Sequence, residues 1–342
     1  MGSARPRVGI VGLGSIGRTH ARVLTQLSDQ AVVVAVSGGS PAVLTELGLD
    51  AAAHLPADEV LTHPDVDLVA ITSPSGAHGP QALAALWAGK AVVVEKPLAV
   101  DAATAEEIVR LGDQRGLMVA VIAQRRLESQ NVAVKRLLDA GALGRPLLGE
   151  TFVHWYRDAA YYAHADWRRS LADGGGSLMN QGLHNLDLLQ WFLGPVGAVT
   201  GQYATLGSGM DAEDTTVATL RFASGALGTA VTTTATRPGD PARLTIFTST
   251  GVLEITHTEI TRWEFDGVRR PAQVSAVAAG SSDPAAIGDA GHLDQWRDIL
   301  GAWRDGRDPA VTGHDGLRTV QLLCGIYEAC RTGRAVTLPE PR

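Results

Sequence analysis

A glycine-rich turn between a short apolar segment and an amphipathic one constrains this chain more than any other feature. Residues 7–20 read RVGIVGLGSIGRTH, in which Gly12, Gly14 and Gly17 follow the spacing G-x-G-x-x-G. The first glycine permits a tight turn out of a strand, the second leaves room for a pyrophosphate, and the third lets a helix pack closely on the strand. The start of that helix offers N–H groups and a positive dipole end to phosphates. The pattern predicts a dinucleotide site rather than a purely structural turn. Further contacts are expected at the helix start, from Ser15 and Ile16.

The composition is that of a globular protein with no charged ligand surface. The 342 residues are 45% hydrophobic and 19% charged, with a net charge of −7. A chain of this length is expected to form two domains, and its charge disfavours nucleic acid and anionic membranes as partners. A strand predicted from residue 8 leaves no room for a signal peptide, and no apolar run reaches membrane-span length. Cys324 and Cys330 face different directions on one predicted helix, so a cytoplasmic location is expected.

The first 123 residues alternate strand-like and helix-like segments. Such βα alternation predicts a doubly wound parallel sheet, which binds ligands beyond the carboxyl ends of its strands. The predicted strands are Val8–Gly12, Ala31–Ser37, Asp67–Thr72, Ala91–Glu95 and Leu117–Ile122. The predicted helices are Ser15–Leu27, Pro41–Leu47, Gly79–Ala88 and Ala102–Arg115.

The pattern changes after residue 123, which predicts a second domain over residues 124–342. Longer strands with short connections indicate mainly antiparallel pairing. These strands are Leu147–Tyr156, Ala198–Leu206, Thr215–Phe222, Ala226–Thr234, Ala242–Thr248 and Gly251–Thr256. Helices are predicted near Asn131–Ala140, Leu293–Trp303 and Gly316–Thr332, with a loop over Ala278–Gly291.

A lysine follows the strand Ala91–Glu95, in the tripeptide Glu95-Lys96-Pro97. A side chain at this strand end points into the expected cofactor crevice. Partial burial would lower the lysine pKa and suit it to proton transfer. The alternative is a surface lysine whose stem covers apolar neighbours. We expect a catalytic role for Lys96, and a place for both Glu95 and Lys96 beside the cofactor.

The strand Asp67–Thr72 also ends in polar residues, Thr72, Ser73 and Pro74, followed by His78. Their backbone and hydroxyl groups are candidates for contacts with the cofactor ribose or nicotinamide. For His78 two readings stay open, a cofactor contact or a residue that satisfies a turn.

Residues 173–194 read DGGGSLMNQGLHNLDLLQWFLG and predict a helix with Ser177 as its N-cap. At α-helical spacing, Asn180, His184, Asp187 and Trp191 form one polar stripe on an otherwise apolar helix. Such a stripe is either an internal hydrogen-bond network or a substrate wall bearing an acid/base histidine. A zinc site is disfavoured, since no third ligand has a recognisable spacing. Upstream side chains that could pack on and grip a sugar, or equally be core or interface residues, are Tyr161, Tyr162, Trp167 and Arg168.

Four segments together resemble the Gfo/Idh/MocA family of NAD(P)-dependent oxidoreductases, named for glucose-fructose oxidoreductase and inositol dehydrogenase. They are VGLGSIGRTH at 11–20, TSPSGAH at 72–78, EKP at 95–97 and GGGSLMNQGLHNLDLLQW at 174–191. They occur in the family's order and span nearly the whole chain. The resemblance implies a Rossmann domain followed by an α+β domain on an open, mainly antiparallel sheet, whose exposed face often forms oligomer contacts.

The resemblance also implies roles for single residues. It implies that Lys96 is the catalytic lysine and His184 the catalytic histidine. Asn180 stands where many relatives carry an aspartate, which makes it a substrate hydrogen-bonder rather than a base. Asp187 is expected beside the substrate. The segment from Gln124 resembles a stretch that reaches toward nicotinamide and substrate, so Gln124 is expected at the cofactor and Arg125 at the substrate.

The choice between NAD and NADP depends on the end of the second strand. An acid there would bind the ribose 2′-hydroxyl and select NAD. The sequence has Ser37, two glycines and Ser40 instead, with neither an acid nor an arginine. Both serines could serve either cofactor, and the missing acid slightly favours NADP.

The expected function is hydride transfer between NAD(P) and a carbinol or ketone carbon of a sugar, inositol or sugar derivative. One alternative is a redox-assisted glycosidase that retains its NAD. The other is a non-catalytic dinucleotide sensor, against which Lys96 argues. Small uncharged residues over 198–234 suit a protein interface, so a homodimer or homotetramer is expected.

Overall fold

The computed structural model describes residues 5–207, 209–272 and 289–340, and these form two compact units. The first unit holds the described residues up to Gln124 together with Asp289–Val320. The second holds the described residues from Arg125 to 272 and from Gln321 onward. The first break lies beside the boundary predicted after residue 123. The expectation that all later residues belong to the second domain was wrong for Asp289–Val320.

The first unit is built on a parallel sheet. Among the described residues it has six strands, in the order β3-β2-β1-β4-β5-β6. This order is that of a Rossmann fold, and it confirms the predicted doubly wound sheet. The strands are β1 Arg7–Val11, β2 Val32–Ser37, β3 Ala53–His54, β4 Leu68–Ile71, β5 Ala91–Val94 and β6 Val119–Val121. The helices are α1 Ser15–Gln26, α2 Pro41–Glu46, α3 Ala57–Thr62, α4 Ser75–Trp87 and α5 Ala102–Arg115.

Two short elements and one helix start differ from the prediction. The sequence pattern missed β3 and α3, because segments of 2 and 6 residues are too short to show a periodicity. Helix α4 begins at Ser75 rather than Gly79 and contains Pro80 in its second turn. His78 therefore lies on the helix and not before it.

A late helix, α9 Ala290–Asp305, belongs to the first unit. Its apolar face, which includes Trp296, Ile299 and Leu300, is buried in the same hydrophobic cluster as β1 and α1. The side chain of Gln295 donates to the Val121 carbonyl at 2.8 Å and accepts from the Ala123 N–H at 3.0 Å. These contacts pair the helix with the edge strand of the sheet. The predicted loop Ala278–Gly291 lies largely outside the described residues, and its last two residues are helical.

The second unit is built on a mixed, mainly antiparallel sheet. Among the described residues it has eight strands, in the order β13-β12-β11-β7-β10-β9-β8-β14. Only the pair β7·β10 is parallel within this set. The strands are β7 Pro146–His154, β8 Val196–Ala204, β9 Thr215–Phe222, β10 Leu227–Thr233, β11 Arg243–Thr248, β12 Gly251–Thr256, β13 Glu259–Phe265 and β14 Val336–Thr337. The helices are α6 Ser129–Asp139, α7 Ala159–Ala163, α8 Leu183–Leu193 and the second half of α10 Gly313–Thr332.

The two faces of this sheet differ in burial. One face packs on α8 and on the end of α10 to form a single hydrophobic cluster. Along β9 every second residue is exposed. On the other face, Val217 and Leu227 are 47% and 49% exposed. The α+β domain with an open sheet is thereby confirmed.

No described helix is long and apolar enough to span a membrane. Cys324 and Cys330 are both half-buried and are not joined in a disulfide, as the helical spacing predicts.

Candidate functional site

The glycine turn after β1 has the steric features that its spacing predicts. Gly12 has a φ of +101°, and a Cβ there would lie 2.8 Å from the backbone of Ser73. A Cβ on Gly17 would lie 1.9 Å from the Gly12 carbonyl oxygen. The hydroxyl of Thr72 donates to that same carbonyl at 2.8 Å. The turn is therefore packed tightly against the end of β4, and two of its glycines have no substitute.

The helix start beside this turn has the features of a phosphate site. A Cβ on Gly14 would meet no atom within 4 Å, so the second glycine faces open space. Gly14 provides no side-chain cap for α1, and the first turn of α1 has no acid. Gln124, which begins a 3₁₀-helix, has a buried Oε1 without a hydrogen-bond partner in the described part of the chain. An uncapped helix start and an open glycine fit the phosphates of a dinucleotide, and the unsatisfied amide of Gln124, which follows β6, fits a further polar contact with a ligand.

The side chains after β4 hold loops together. The Ser73 hydroxyl donates to the amide oxygen of Gln81 at 2.7 Å. His78 is buried, with Nδ1 2.7 Å from the Pro97 carbonyl and Nε2 2.8 Å from the Ser73 carbonyl. Burial lowers the pKa of His78, and these carbonyls oppose the shift. The geometry favours the turn-satisfying interpretation of His78 and links the loops after β4 and β5.

Lys96 follows β5 directly, beside a buried carboxylate. Glu95 Oε2 accepts from the Lys96 backbone N–H at 2.9 Å, and Oε1 lies 3.0 Å from His20 Nε2. Burial raises the pKa of Glu95, but His20 and His292 outweigh it and hold that pKa well below its usual value. Burial lowers the pKa of the half-buried Lys96, and the charge of Glu95 partly opposes this. Lys96 is therefore closer to giving up a proton than a surface lysine.

The cluster of His20, Glu95 and His292 has a spacing that could hold a metal ion. The indole of Trp296 donates to His20 Nδ1 at 2.8 Å, so the proton of the neutral ring is on Nε2. A protonated nitrogen has no lone pair for a metal. The cluster is therefore a hydrogen-bond network behind Lys96.

The end of β2 bears no acid. The Ser37 carbonyl accepts from the backbone N–H groups of Gly12 and Leu13 at 3.0 and 3.1 Å. Ser40 is exposed and precedes α2 without a side-chain cap. The imidazole of His54 lies 3.1 Å from the Gly38 carbonyl. Both predicted serines thus stay at the strand end that meets the glycine turn.

The predicted helix over residues 177–193 is two helices. Residues Ser177–Gly182 form a π-helix, and α8 continues from Leu183. The prediction of Ser177 as an N-cap was wrong, since its hydroxyl donates to Glu213 at 2.6 Å. The single stripe was also wrong, because α-helical spacing fails across a π-helix. His184 and Asp187 share a face of α8, while Asn180 belongs to the π-helix.

Asn180 and its neighbour Gln181 meet a tyrosine. Their side-chain amides donate to the Tyr161 hydroxyl at 3.3 and 2.7 Å. The guanidinium of Arg168 lies 4.2 Å from the centre of the Tyr161 ring and donates to the Tyr161 carbonyl at 2.9 Å. His184 is half-buried on the second position of α8. These groups provide amide, phenol and guanidinium donors together with aromatic surface.

Two residues expected at the substrate are engaged in internal contacts. Asp187 accepts two hydrogen bonds from Arg126, at 2.8 and 2.6 Å, and both side chains are buried. Arg125 donates to Asn185 at 2.5 Å and also to the His257 carbonyl. These bonds give Asp187 and Arg125 structural roles, and their assignment to substrate binding stays a prediction.

Two aromatic residues differ in how far they are available to a ligand. Tyr162 is buried, and its hydroxyl lies 2.7 Å from the Thr234 hydroxyl. Burial raises the pKa of Tyr162 to about 12. The hydroxyl of Tyr162 is thus satisfied internally, and its expected contact with the substrate stays a prediction. Trp167 is half-buried in the 3₁₀-helix Asp166–Arg169 and stays a candidate.

Sequence reasoning missed several residues that support the site. His20 stands one helical turn after Gly17, and this spacing was an available signal. Glu213, Tyr327, His292 and Trp296 gave no signal, because their partners lie far away along the chain.

In comparison with known proteins, two models of one protein family match this chain, one in each unit. The model described as "Oxidoreductase family, NAD-binding Rossmann fold" matches residues 6–123. The model described as "GFO/IDH/MocA C-terminal domain" matches residues 131–254.

Individual relatives agree with these matches. The inositol 2-dehydrogenase of Salmonella typhimurium is 35% identical over 147 residues, which cover 42% of this chain and 44% of that protein. The chain thus spans less than half the length of that relative. The myo-inositol 2-dehydrogenase of Thermotoga maritima is 25% identical over 347 residues, covering 98% of this chain and 99% of that protein. The WlbA dehydrogenase of Bordetella pertussis, solved with NADH and UDP-GlcNAcA, has a TM-score of 0.87 and 30% identity, covering 98% of this chain and 100% of that chain.

Proposed function

Because the chain belongs to the Gfo/Idh/MocA family of oxidoreductases, we propose that it transfers a hydride between NAD(P) and a carbon of a sugar, cyclitol or sugar derivative. The observation that carries this proposal is the position of Lys96. It follows β5 at the sheet edge where the glycine turn lies, and burial lowers its pKa. A bound nicotinamide would take up or supply the hydride.

The remaining chemistry is a proton transfer at the substrate oxygen. When a carbinol is oxidised, the carbon loses a hydride and its hydroxyl loses a proton. Lys96 and His184 are the proposed groups that accept this proton, and in the reverse direction they return it to the ketone oxygen. A neutral amine is needed for acceptance, and the lowered pKa of Lys96 makes it more accessible.

The substrate would be held by residues of the second unit. Asn180 offers its amide, Arg168 its guanidinium and Trp167 an aromatic face. These groups match a polyhydroxylated ligand, which needs several directional hydrogen bonds and an apolar ring face to pack on. The inositol dehydrogenases and the UDP-GlcNAcA complex among the relatives support this substrate class.

We propose a slight preference for NADP(H) over NAD(H). The end of β2 has serines where a carboxylate would repel a 2′-phosphate. Calorimetric titration with both oxidised cofactors tests this. A smaller dissociation constant for NADP than for NAD supports the preference, and equal or tighter NAD binding contradicts it.

The test of the function is a substrate screen followed at the absorbance band of reduced nicotinamide. The panel contains myo- and scyllo-inositol, free aldoses, keto-sugars and UDP-linked sugars, each with NAD⁺ and NADP⁺ or the reduced forms. The matched variant Lys96→Met keeps the length of the side chain without its amine. We expect cofactor-dependent turnover by the natural chain and almost none by the variant.

The same screen separates the alternatives. A glycosidase with retained NAD would release its aglycone from a chromogenic glycoside without net change in reduced cofactor. A dinucleotide sensor would bind cofactor and turn over nothing. Either result would contradict the proposed dehydrogenase.

A further inference from the structure

A buried glutamate lies at the start of the π-helix that contains Asn180. Glu213 is 1% exposed and comes from the segment before β9. Its Oε1 accepts from the Leu178 N–H and from the Tyr327 hydroxyl, both at 2.9 Å. Its Oε2 accepts from the Ser177 hydroxyl at 2.6 Å, and its own carbonyl accepts from the Ser177 N–H at 3.0 Å. One residue thus satisfies the first two N–H groups of the helix.

The phenol of Tyr327, on α10, extends this anchor. It donates to Glu213 and accepts from the Met179 N–H at 3.3 Å. Burial raises the pKa of Tyr327 well above its usual value, so the hydroxyl keeps its proton. The backbone carbonyl of Glu213, its carboxylate and the phenol of Tyr327 therefore accept from the N–H groups of Ser177, Leu178 and Met179 in turn, which a helix start leaves unsatisfied.

Neighbouring residues pack closely around the Glu213 carboxylate and around both ends of the π-helix. Gly176 has a φ of +93°, and a Cβ there would lie 2.6 Å from Glu213 Oε1. At the other end of the π-helix, a Cβ on Gly182 would lie 2.4 Å from the Thr232 side chain. The Ser177 hydroxyl also contacts the Thr232 hydroxyl at 2.8 Å. The segment is held at both ends by contacts that need glycine.

A π-helix is rare and occurs mostly as single turns at functional sites. It holds one more residue per hydrogen-bonded ring than an α-helix. If Ser177–Gly182 relaxed to an α-helix, Asn180 would rotate relative to α8, because each residue of a π-helix turns through a smaller angle than the ~100° of an α-helix. An external anchor is therefore needed to keep the register.

We propose that Glu213 is a positioning residue, which together with Ser177 and Tyr327 holds the π-helical register and so sets the direction of Asn180 relative to His184. The inference rests on the proposed function, in which these two side chains meet the substrate. Glu213 acts through the helix and does not itself contact the substrate.

The test uses two conservative variants of the full chain, Glu213→Gln and Tyr327→Phe. Glu213→Gln keeps the shape but loses the charge and one acceptor, and Tyr327→Phe removes only the hydroxyl. The matched control is Tyr203→Phe, whose ring packs edge-on against Tyr327 at 5.9 Å. Turnover and the isotope effect with deuterated substrate are measured well below the unfolding midpoint of each protein.

We expect kcat to fall about 10²-fold in Glu213→Gln, the loss typical of a misplacement near 1 Å, and about tenfold in Tyr327→Phe. The isotope effect on kcat should rise, because hydride transfer becomes slower than product release. The dissociation constant of the cofactor and the kcat of Tyr203→Phe should not change. If Glu213 had a merely structural role, the variants would have a lower melting temperature, but kcat and the isotope effect of the folded protein would not change.

A crystal structure of Glu213→Gln tests the inference independently of activity. We expect residues 177–182 to lose the π-helical hydrogen bonds. A variant that keeps both the π-helix and a kcat within twofold of the natural chain overturns the role of Glu213. If the natural chain has no turnover on the panel, the proposed function fails, and the crystal structure alone decides whether Glu213 holds the register.

Discussion

Glu95 places a buried carboxylate against the backbone of Lys96. Its Oε2 accepts the Lys96 N–H at 2.9 Å, while Oε1 lies 3.0 Å from His20 Nε2. His20 is in turn oriented by Trp296, which donates to its Nδ1 at 2.8 Å. The network keeps the buried negative charge of Glu95 next to the proposed catalytic lysine.

This relationship predicts a pH effect. A nearby negative charge favours the ammonium form, so Glu95 raises the pKa of Lys96 against the lowering by burial. Removing the charge in Glu95→Gln should lower that pKa further. In the oxidation direction, where the neutral amine is active, the ascending limb of kcat/KM should move to lower pH. A limb that stays in place or moves to higher pH would show that Glu95 does not act on Lys96.

The proton-transfer roles predict a second effect. Lys96→Ala and His184→Ala should each lower kcat by about 10²–10⁴, the contribution typical of general acid/base groups. Cofactor affinity should change far less. Steady-state kinetics and calorimetry on the same preparations check both statements, and near-full turnover by either variant would remove that residue from the mechanism.

The glycine turn allows a contrast between two neighbouring positions. Gly14 has open space around its Cβ, so Gly14→Val should fold normally but weaken NAD(P) binding at least tenfold, or ~1.4 kcal/mol. A Cβ on Gly17 would lie 1.9 Å from the Gly12 carbonyl. Gly17→Ala should therefore destabilise the fold itself, by about 1–3 kcal/mol. Thermal unfolding and cofactor titration of both variants separate these effects. Undiminished binding by Gly14→Val would refute the phosphate site.

The buried pair of Arg126 and Asp187 predicts a stability effect. Asp187→Asn leaves a buried guanidinium without its counter-charge and should lower the free energy of unfolding by about 3–5 kcal/mol. The double variant Arg126→Met, Asp187→Leu should recover most of that loss, because it removes both buried charges of this pair. Chemical denaturation measures all three proteins. A stable Asp187→Asn with a raised substrate KM would instead return Asp187 to the substrate site.

The open face of the second sheet predicts self-association. Val217 and Leu227 are 47% and 49% exposed beside small threonines, a surface that suits an interface core. We expect a dimer or tetramer with residues 198–234 in the contact. Val217→Arg should shift the mass toward the monomer in light scattering. The control Trp87→Arg changes a residue of the first unit that is 58% exposed and should not. A natural chain that is monomeric at micromolar concentration would rule this out.

Much of the first unit could be predicted from local sequence. Strand and helix periods, the three glycines and the lysine after β5 all depend on neighbours within a few residues. Steric limits at Gly12 and Gly17 are properties of the turn itself, which is why the glycine spacing alone predicted their roles.

The partners of these residues could not be predicted in the same way. His20 and Trp296 are 276 positions apart, and Glu213 caps a helix that begins 36 residues earlier. The sequence pattern predicted one α-helix through Ser177, because α-helical spacing assumes the same turn throughout. The first N–H groups of the π-helix are satisfied by Glu213 and Tyr327, which are distant in the sequence.

The sequence by itself determined the nucleotide-binding turn and the parallel sheet, because short-range sterics and periodicity encode them, and its resemblance to a family singled out Lys96 and His184 as the reactive candidates. Only the tertiary structure decided that α9 completes the first unit and that Asp187 pairs with Arg126. It also decided that Asn180 lies on a π-helix held by Glu213. These outcomes follow from burial, since a charged or polar group removed from water must find a partner wherever the fold provides one.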